Sequence, residues 1–181
     1  RGQSEFAAAK KGRGQGFARR SSRSRKKSGE ICSGPFFLFA FSGMTTPFRW
    51  PVRVYWEDTD AGGVVYHARY LAFMERARSE WMRACGWGQD AMRGREDLVF
   101  AVRAMELDFR APARLDDQLQ VSVALVECRG ASFVVAQQVL RGGELLAAAR
   151  VRIAALAAST FRPRPIPQPL QSELKSLLES P

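Results

Sequence analysis

From Tyr70 onward the apolar residues fall three or four places apart: Tyr70, Leu71, Met74, Ala77, Trp81, Met82 and Cys85. That spacing predicts a helix of about five turns, running on from Val64 and closed by Gly86, which suits the left-handed position just past a helix end. The apolar arc is too wide for a single stripe, so the helix has to be covered on several sides. The cover is written in period two. Over 48–55, Phe48, Trp50, Val52 and Val54 alternate with Arg49 and Arg53, a strand pattern in which Pro51 points to an edge position. After the helix come four apolar segments, 98–107, 119–127, 132–140 and 145–156, separated by turn-formers such as Ala111-Pro112, Arg129-Gly130 and Gly142-Gly143. The last three read as an antiparallel meander. One strand, one long helix and four strands make an α+β layer in which an antiparallel sheet curls around the helix.

The rest of the chain divides around that unit. Residues 1–43 hold ten Lys or Arg against only Glu5 and Glu30, out of 28 basic and 18 acidic residues in 181. The remainder is therefore almost neutral, and most of the net charge of +10 belongs to a leader of Gly, Ser, Arg and Lys. Nucleic-acid binding by the folded part is not indicated. The leader is expected to be disordered upstream sequence, with folding starting near Met44 and the domain running to about residue 160. Over 161–181, alternating prolines predict an extended surface stretch, and Leu170, Leu174, Leu177 and Leu178 a short amphipathic helix, docked or free for a partner. The longest apolar run, residues 35–41, is far below the roughly 18 residues of a membrane span. Three widely spaced cysteines and a lone histidine suit neither a disulfide framework nor a zinc site, and a reducing, cytoplasmic compartment is expected.

Chemistry concentrates in Tyr55-Trp56-Glu57-Asp58-Thr59-Asp60-Ala61-Gly62-Gly63-Val64-Val65-Tyr66-His67, where three carboxylates, two glycines and the sole histidine meet a helix start. The glycines allow a ligand carbonyl close to the backbone. First-turn N–H groups have no partner inside a helix, and with the helix dipole they can polarise a carbonyl and hold an oxyanion. A carboxylate just upstream can attack that carbonyl or activate water, so acyl transfer is the reaction class this arrangement suits. Aspartates ahead of helices are also common N-caps, so spacing alone leaves the function open.

The run Val52-Arg53-Val54-Tyr55-Trp56-Glu57-Asp58-Thr59-Asp60-Ala61-Gly62-Gly63-Val64-Val65-Tyr66-His67-Ala68-Arg69-Tyr70-Leu71, followed by Glu75-Arg76-Ala77-Arg78, resembles the signature of the 4-hydroxybenzoyl-CoA thioesterase-like hotdog family. Within that family the likeness is to the branch associated with the Tol-Pal envelope system. It continues through Phe109-Arg110-Ala111-Pro112-Ala113-Arg114-Leu115-Asp116-Asp117 and covers about residues 48–175. The resemblance implies a hotdog fold, an antiparallel sheet wrapped around one long central helix, with subunits pairing their sheets as a homo-oligomer, dimer or tetramer, and active sites at the interface. It further implies hydrolysis of acyl-CoA, or acyl-carrier-protein thioesters, without metal or organic cofactor, and a peripheral association with the envelope. Asp60, the second Asp of the Asp-x-Asp motif, falls on the catalytic position, and His67 on the helix-start residue whose N–H faces the thioester carbonyl. Trp56 stands where a tyrosine is usual.

Gly63, Val65 and Tyr66 are the expected substrate-binding residues. Glu75 is the competing carboxylate, since other hotdog enzymes carry one on this helix; its structural reading is an ion pair with Arg78 or with an arginine across the dimer. Glu57 and Asp58 are read as pointing outward into solvent. Arg49, Arg53, Arg69, Arg129, Arg150 and Arg152 are candidate cations for CoA phosphates. Two rival functions stay open: a hotdog dehydratase, and a non-catalytic module that binds acyl-carrier protein or an envelope protein.

Overall fold

The computed structural model describes residues 47–179; the leader, with Cys32 and Met44, lies outside the described residues. The chain runs β1 (Phe48–Arg53), a 3₁₀ turn (Trp56–Asp58), α1 (His67–Ala84), α2 (Gln89–Glu96), β2 (Leu98–Phe109), β3 (Gln118–Arg129), β4 (Ser132–Arg141), β5 (Glu144–Ala157) and α3 (Gln168–Glu179). The strands form one antiparallel sheet in the order β1-β3-β4-β5-β2, so β1 and β2 are its edges.

Helix α1 is the core of this layer. Tyr70, Phe73, Met74, Ala77, Trp81 and Met82 are buried along its 18 residues. They meet Leu119, Val121, Val123 and Leu125 from β3, Phe133, Val135 and Val139 from β4, and Ala149, Val151 and Ile153 from β5. Each large side chain among them contributes about 1.5–3 kcal/mol by leaving water. On β1 the alternation is as the sequence predicts: Phe48, Trp50 and Val52 lean on the core and pair with Val123, Val121 and Leu119, while Arg49, Pro51 and Arg53 face outward. Pro51 sits on an edge strand, where its missing N–H costs least.

A bulge at Arg103, between the pairs Val102↔Ile153 and Ala104↔Arg152, resets the parity of β2. Phe100 before it and Met105 and Leu107 after it all pack on the core. Without the extra residue, the second half of the strand would turn its apolar side to solvent.

The helix starts at His67, the helix-start position of the motif, because the residues from Val64 on the way to it close a hairpin. Two features depart from the sequence reading. The short α2 was not anticipated: Gly94 interrupts its polar run and only Met92 is buried, too weak a period to register. The proline-rich tail does run extended, but Ile166 is buried and its N–H bonds to the Gly130 carbonyl at 2.8 Å, so part of it belongs to the core. Helix α3 docks, with Leu170 and Leu174 fully buried, and Trp87 Nε1 donates to Glu173 at 2.7 Å. No helix among the described residues is long and apolar enough to cross a membrane.

Candidate active site

The segment between β1 and α1 is a tight hairpin. Thr59 bridges Val65, the Tyr66 N–H bonds to the Asp58 carbonyl (2.9 Å), and the Asp60 N–H to the Val64 carbonyl (3.0 Å). Its tip is Asp60 to Gly63, closed by the Gly63 N–H to the Asp60 carbonyl at 3.0 Å. Gly63 adopts φ +74°, which costs a side-chain-bearing residue roughly 1–2 kcal/mol. The expectation that glycine is needed here for open space on a ligand's behalf is joined by this backbone reason, since a Cβ on Gly63 would meet nothing within 4 Å.

Two interactions fix the hairpin to the fold. The Asp58 carboxylate is buried, accepts the Tyr55 N–H at 2.9 Å, and receives Arg69 Nε at 2.6 Å and Nη2 at 2.5 Å. This corrects the outward, solvated reading of Asp58, and it removes Arg69 from the free cations, because its guanidinium also reaches Glu57 at 3.2 Å. Arg69 follows Asp58 by eleven residues, a spacing that no helix or strand period flags. On the other side, the Val65 N–H bonds to the Ala113 carbonyl (2.8 Å), and the buried Tyr70 hydroxyl accepts the Ala113 N–H (2.8 Å). Burial pushes the Tyr70 phenol above its usual pKa, so the hydroxyl stays neutral in its role of acceptor.

Asp60 therefore stands exposed on a braced turn. Its Oδ1 accepts the Gly62 N–H at 2.8 Å, and among the described residues no donor reaches Oδ2. The Gly62 and Gly63 N–H groups are thus spent inside the turn. The open donors lie at the start of α1: Arg69 N–H turns back to the Tyr66 carbonyl (2.8 Å), while those of His67 and Ala68 have no acceptor among the described residues. The helix dipole adds to their polarity. His67 is exposed, with its ring 4.3 Å from that of the half-exposed Tyr66. With Val65, Tyr70, Phe109, Arg110, Ala111 and Pro112 it lines a hollow of about 240 Å³. Arg110, paired with Asp108, was not singled out as a cation, although the motif around it was.

Glu75 is not part of this hollow. It lines a separate cavity of about 180 Å³ with Arg78, Trp81 and Met82, and its carboxylate accepts the Ser79 hydroxyl at 2.8 Å. The expected ion pair with Arg78 is replaced: Arg78 Nη1 donates to Oε1 of the buried Gln137 at 2.7 Å, and Gln137 Nε2 donates to the Met74 carbonyl at 3.1 Å. Burial lowers the Arg78 pKa, and Glu75 works against that shift. Of the other arginines, Arg129 pairs with Glu127, Arg53 donates to the Asp116 carbonyl, and Arg49 to Gln120.

The chain that carries this carboxylate on a braced hairpin, these open N–H groups and the hollow beside them is similar in sequence and in fold to known proteins. The thioesterase-like superfamily model matches residues 54–174. An acyl-CoA thioester hydrolase YbgC from Escherichia coli is 46% identical over 132 residues, covering 72% of this chain and 98% of that protein. The crystal structure of a probable thioesterase from Bartonella henselae superposes with a TM-score of 0.65 at 38% identity, over 67% of this chain and 100% of the other. A Thermus thermophilus thioesterase complexed with coenzyme A and zinc gives a TM-score of 0.63 at 28% identity, over 74% of this chain and 95% of the other. A family match over most of the described residues, joined to the same fold, makes this chain a member of the thioesterase-like superfamily, with the hotdog architecture.

Proposed function

We propose that the chain is an acyl-CoA thioester hydrolase in which Asp60 acts on the thioester carbonyl at the start of α1. The observation that carries this reading is the pairing of a carboxylate that keeps one oxygen free with the unpartnered His67 and Ala68 N–H groups, in a chain 46% identical to a hydrolase named for that reaction. The two N–H groups hold the carbonyl oxygen and stabilise it as negative charge grows. Asp60 then works in one of two ways. Its Oδ2 adds to the carbonyl carbon and expels the CoA thiolate, leaving an anhydride that water cleaves; or it takes a proton from a water that adds to the same carbon. Both routes release a carboxylate and the thiol. His67 contributes through its backbone, with its exposed ring free to orient substrate, and Val65 and Tyr66 wall the approach.

The reading includes a second copy of the chain. Strand β2 offers 12 residues of edge without Pro or Gly, whereas the opposite edge, β1, is guarded by Pro51. An edge that long and unguarded is a pairing surface. Acyl-carrier protein as an alternative thioester carrier, a cytoplasmic location suiting the free thiols of Cys85 and Cys128, and an envelope association belong to the same proposal. The test is thiol release from a panel of acyl-CoA thioesters alongside hydration of an enoyl-CoA. Turnover of the former alone is expected; hydration, or no turnover by folded protein, would contradict the assignment.

A further inference from the structure

Between β2 and β3 the chain passes the hollow of His67 in an irregular segment, residues 110–117. Ala111 and Pro112 wall that hollow. Ala113, next in line, is fully buried, and the peptide groups on both sides of it are bonded at both ends. In the first, the Ala113 N–H donates to the Tyr70 hydroxyl at 2.8 Å and the Pro112 carbonyl accepts from Arg141 Nη1 at 3.3 Å. In the second, the Ala113 carbonyl accepts the Val65 N–H at 2.8 Å and the Arg114 N–H donates to Asp117 Oδ2 at 2.8 Å. A trans peptide group is planar, and its carbonyl and N–H point opposite ways. Each is therefore a stiff crossbar, with one end on the catalytic hairpin or on α1 and the other on Arg141 or Asp117.

The far ends of both crossbars meet in one ion pair. Arg141, the last residue of β4, donates from Nη1 to Asp117 Oδ2 at 2.7 Å, the same oxygen that takes the Arg114 N–H. Burial opposes ionisation of Asp117, but the Arg114 N–H and the Arg141 guanidinium outweigh it and hold the carboxyl below its usual pKa. Asp117 also ties its backbone to Val54, just past β1, whose N–H its carbonyl accepts at 3.1 Å. Neither Arg141 nor Asp117 lines the hollow. Solvent still reaches the pair, with 31% of the Arg141 side chain and 21% of Asp117 exposed. Such a pair adds little to stability, so its geometry matters more than its energy.

We propose that Arg141 and Asp117 are positioning residues for thioester hydrolysis. By orienting the two peptide groups around Ala113, they set Val65, and with it the start of α1 whose N–H groups hold the carbonyl, against the wall formed by Ala111 and Pro112. A misplacement of about 1 Å at a reacting centre costs on the order of 10²-fold in rate, which is the leverage that a tilted crossbar would have. The proposal rests on the thioesterase reading of Asp60 and the α1 start.

The test separates position from stability. Arg141→Met keeps the apolar stem and removes the donor to both crossbars, whereas Glu144→Gln alters only the partner of the outward nitrogen, Arg141 Nη2, at 2.7 Å. With an acyl-CoA that the wild type turns over, assayed well below each Tm, Arg141→Met should lower kcat roughly tenfold or more and leave KM within about twofold. Arg141→Lys, a point charge in place of a planar fork, should recover part of that loss. Glu144→Gln should match wild type. Asp117→Asn should also lose kcat, and combining it with Arg141→Met should cost no more than the worse single variant, because both act through one brace. Should Arg141→Met not fold, Asp117→Asn and Arg141→Lys carry the same comparison. Native-state hydrogen exchange adds a readout independent of turnover: the Val65 and Ala113 amides should exchange faster in Arg141→Met, while Val135 in β4 keeps its wild-type rate. Wild-type kcat in the folded brace variants, losses that multiply in the double variant, or unchanged exchange at Val65 and Ala113 would each overturn the proposal. A wild type inactive on every thioester would instead defeat the thioesterase reading, whatever the exchange rates show.

Discussion

Arg69, on the first turn of α1, holds the buried carboxylate of Asp58 through two nitrogens, Nε at 2.6 Å and Nη2 at 2.5 Å. The pair joins the helix to the hairpin that carries Asp60 two residues on, so the position of the reactive carboxylate depends on a residue that never approaches substrate. Replacing Arg69 by Ala leaves Asp58 buried without its counter-charge. A loss of about 2–4 kcal/mol in urea unfolding is expected, with a fall in kcat larger than the change in KM. Glu57→Ala, at the exposed end of the same network, should cost under about 0.5 kcal/mol.

Gly63 tests the turn itself. With φ at +74° and open space where a Cβ would go, Gly63→Ala is penalised by backbone conformation alone, about 1–2 kcal/mol. Turnover should fall because the Asp60 to Gly63 turn relaxes. An alanine variant with wild-type stability and activity would show that this conformation is not needed.

These two cases mark how far the sequence was legible. The helix, its covering strands and the meander could be read because burial imposes a period on the residues, 3.6 along α1 and 2 along the strands. Asp60 and His67 stood out because they lie in one contiguous motif at a helix start. The Asp58–Arg69 clamp, the Tyr70 hydroxyl on Ala113 and the Gln137 anchor of Arg78 were hidden. Gln137 and Arg78 lie on β4 and α1, and Tyr70 and Ala113 are 43 residues apart, so no local pattern joins them. The bulge at Arg103 was equally silent, being defined by the partner strand and not by the residue.

Leu174 measures the contribution of the C-terminal helix. It is fully buried with Leu170, so Leu174→Ala should cost about 2–5 kcal/mol in denaturant unfolding, whereas Leu178→Ala, at an exposed position, should be nearly neutral. Equal effects would mean that α3 does not dock in solution.

Asp97 gives the acid dependence its sign. Its carboxylate accepts the Ser159 hydroxyl at 2.9 Å and the Ser159 N–H at 2.7 Å, and these bonds, with Arg164 nearby, hold its pKa below the usual aspartate value of 3.8. A depressed folded-state pKa contributes stability above the unfolded pKa and loses it as pH falls through the folded one. The Tm difference between wild type and Asp97→Ala should therefore be constant from neutral pH down to about 4 and shrink below it. A difference that grew on acidification would contradict the assignment.

The account stands most directly on Asp60. Thiol release from an acyl-CoA that the wild type turns over, measured for wild type and Asp60→Asn under the same conditions, should show kcat lowered on the order of 10³-fold or more. The Tm should hardly change, because Asp60 is exposed and asparagine keeps an oxygen to accept the Gly62 N–H. Undiminished turnover by Asp60→Asn would contradict the central claim and make Glu75 the carboxylate to test.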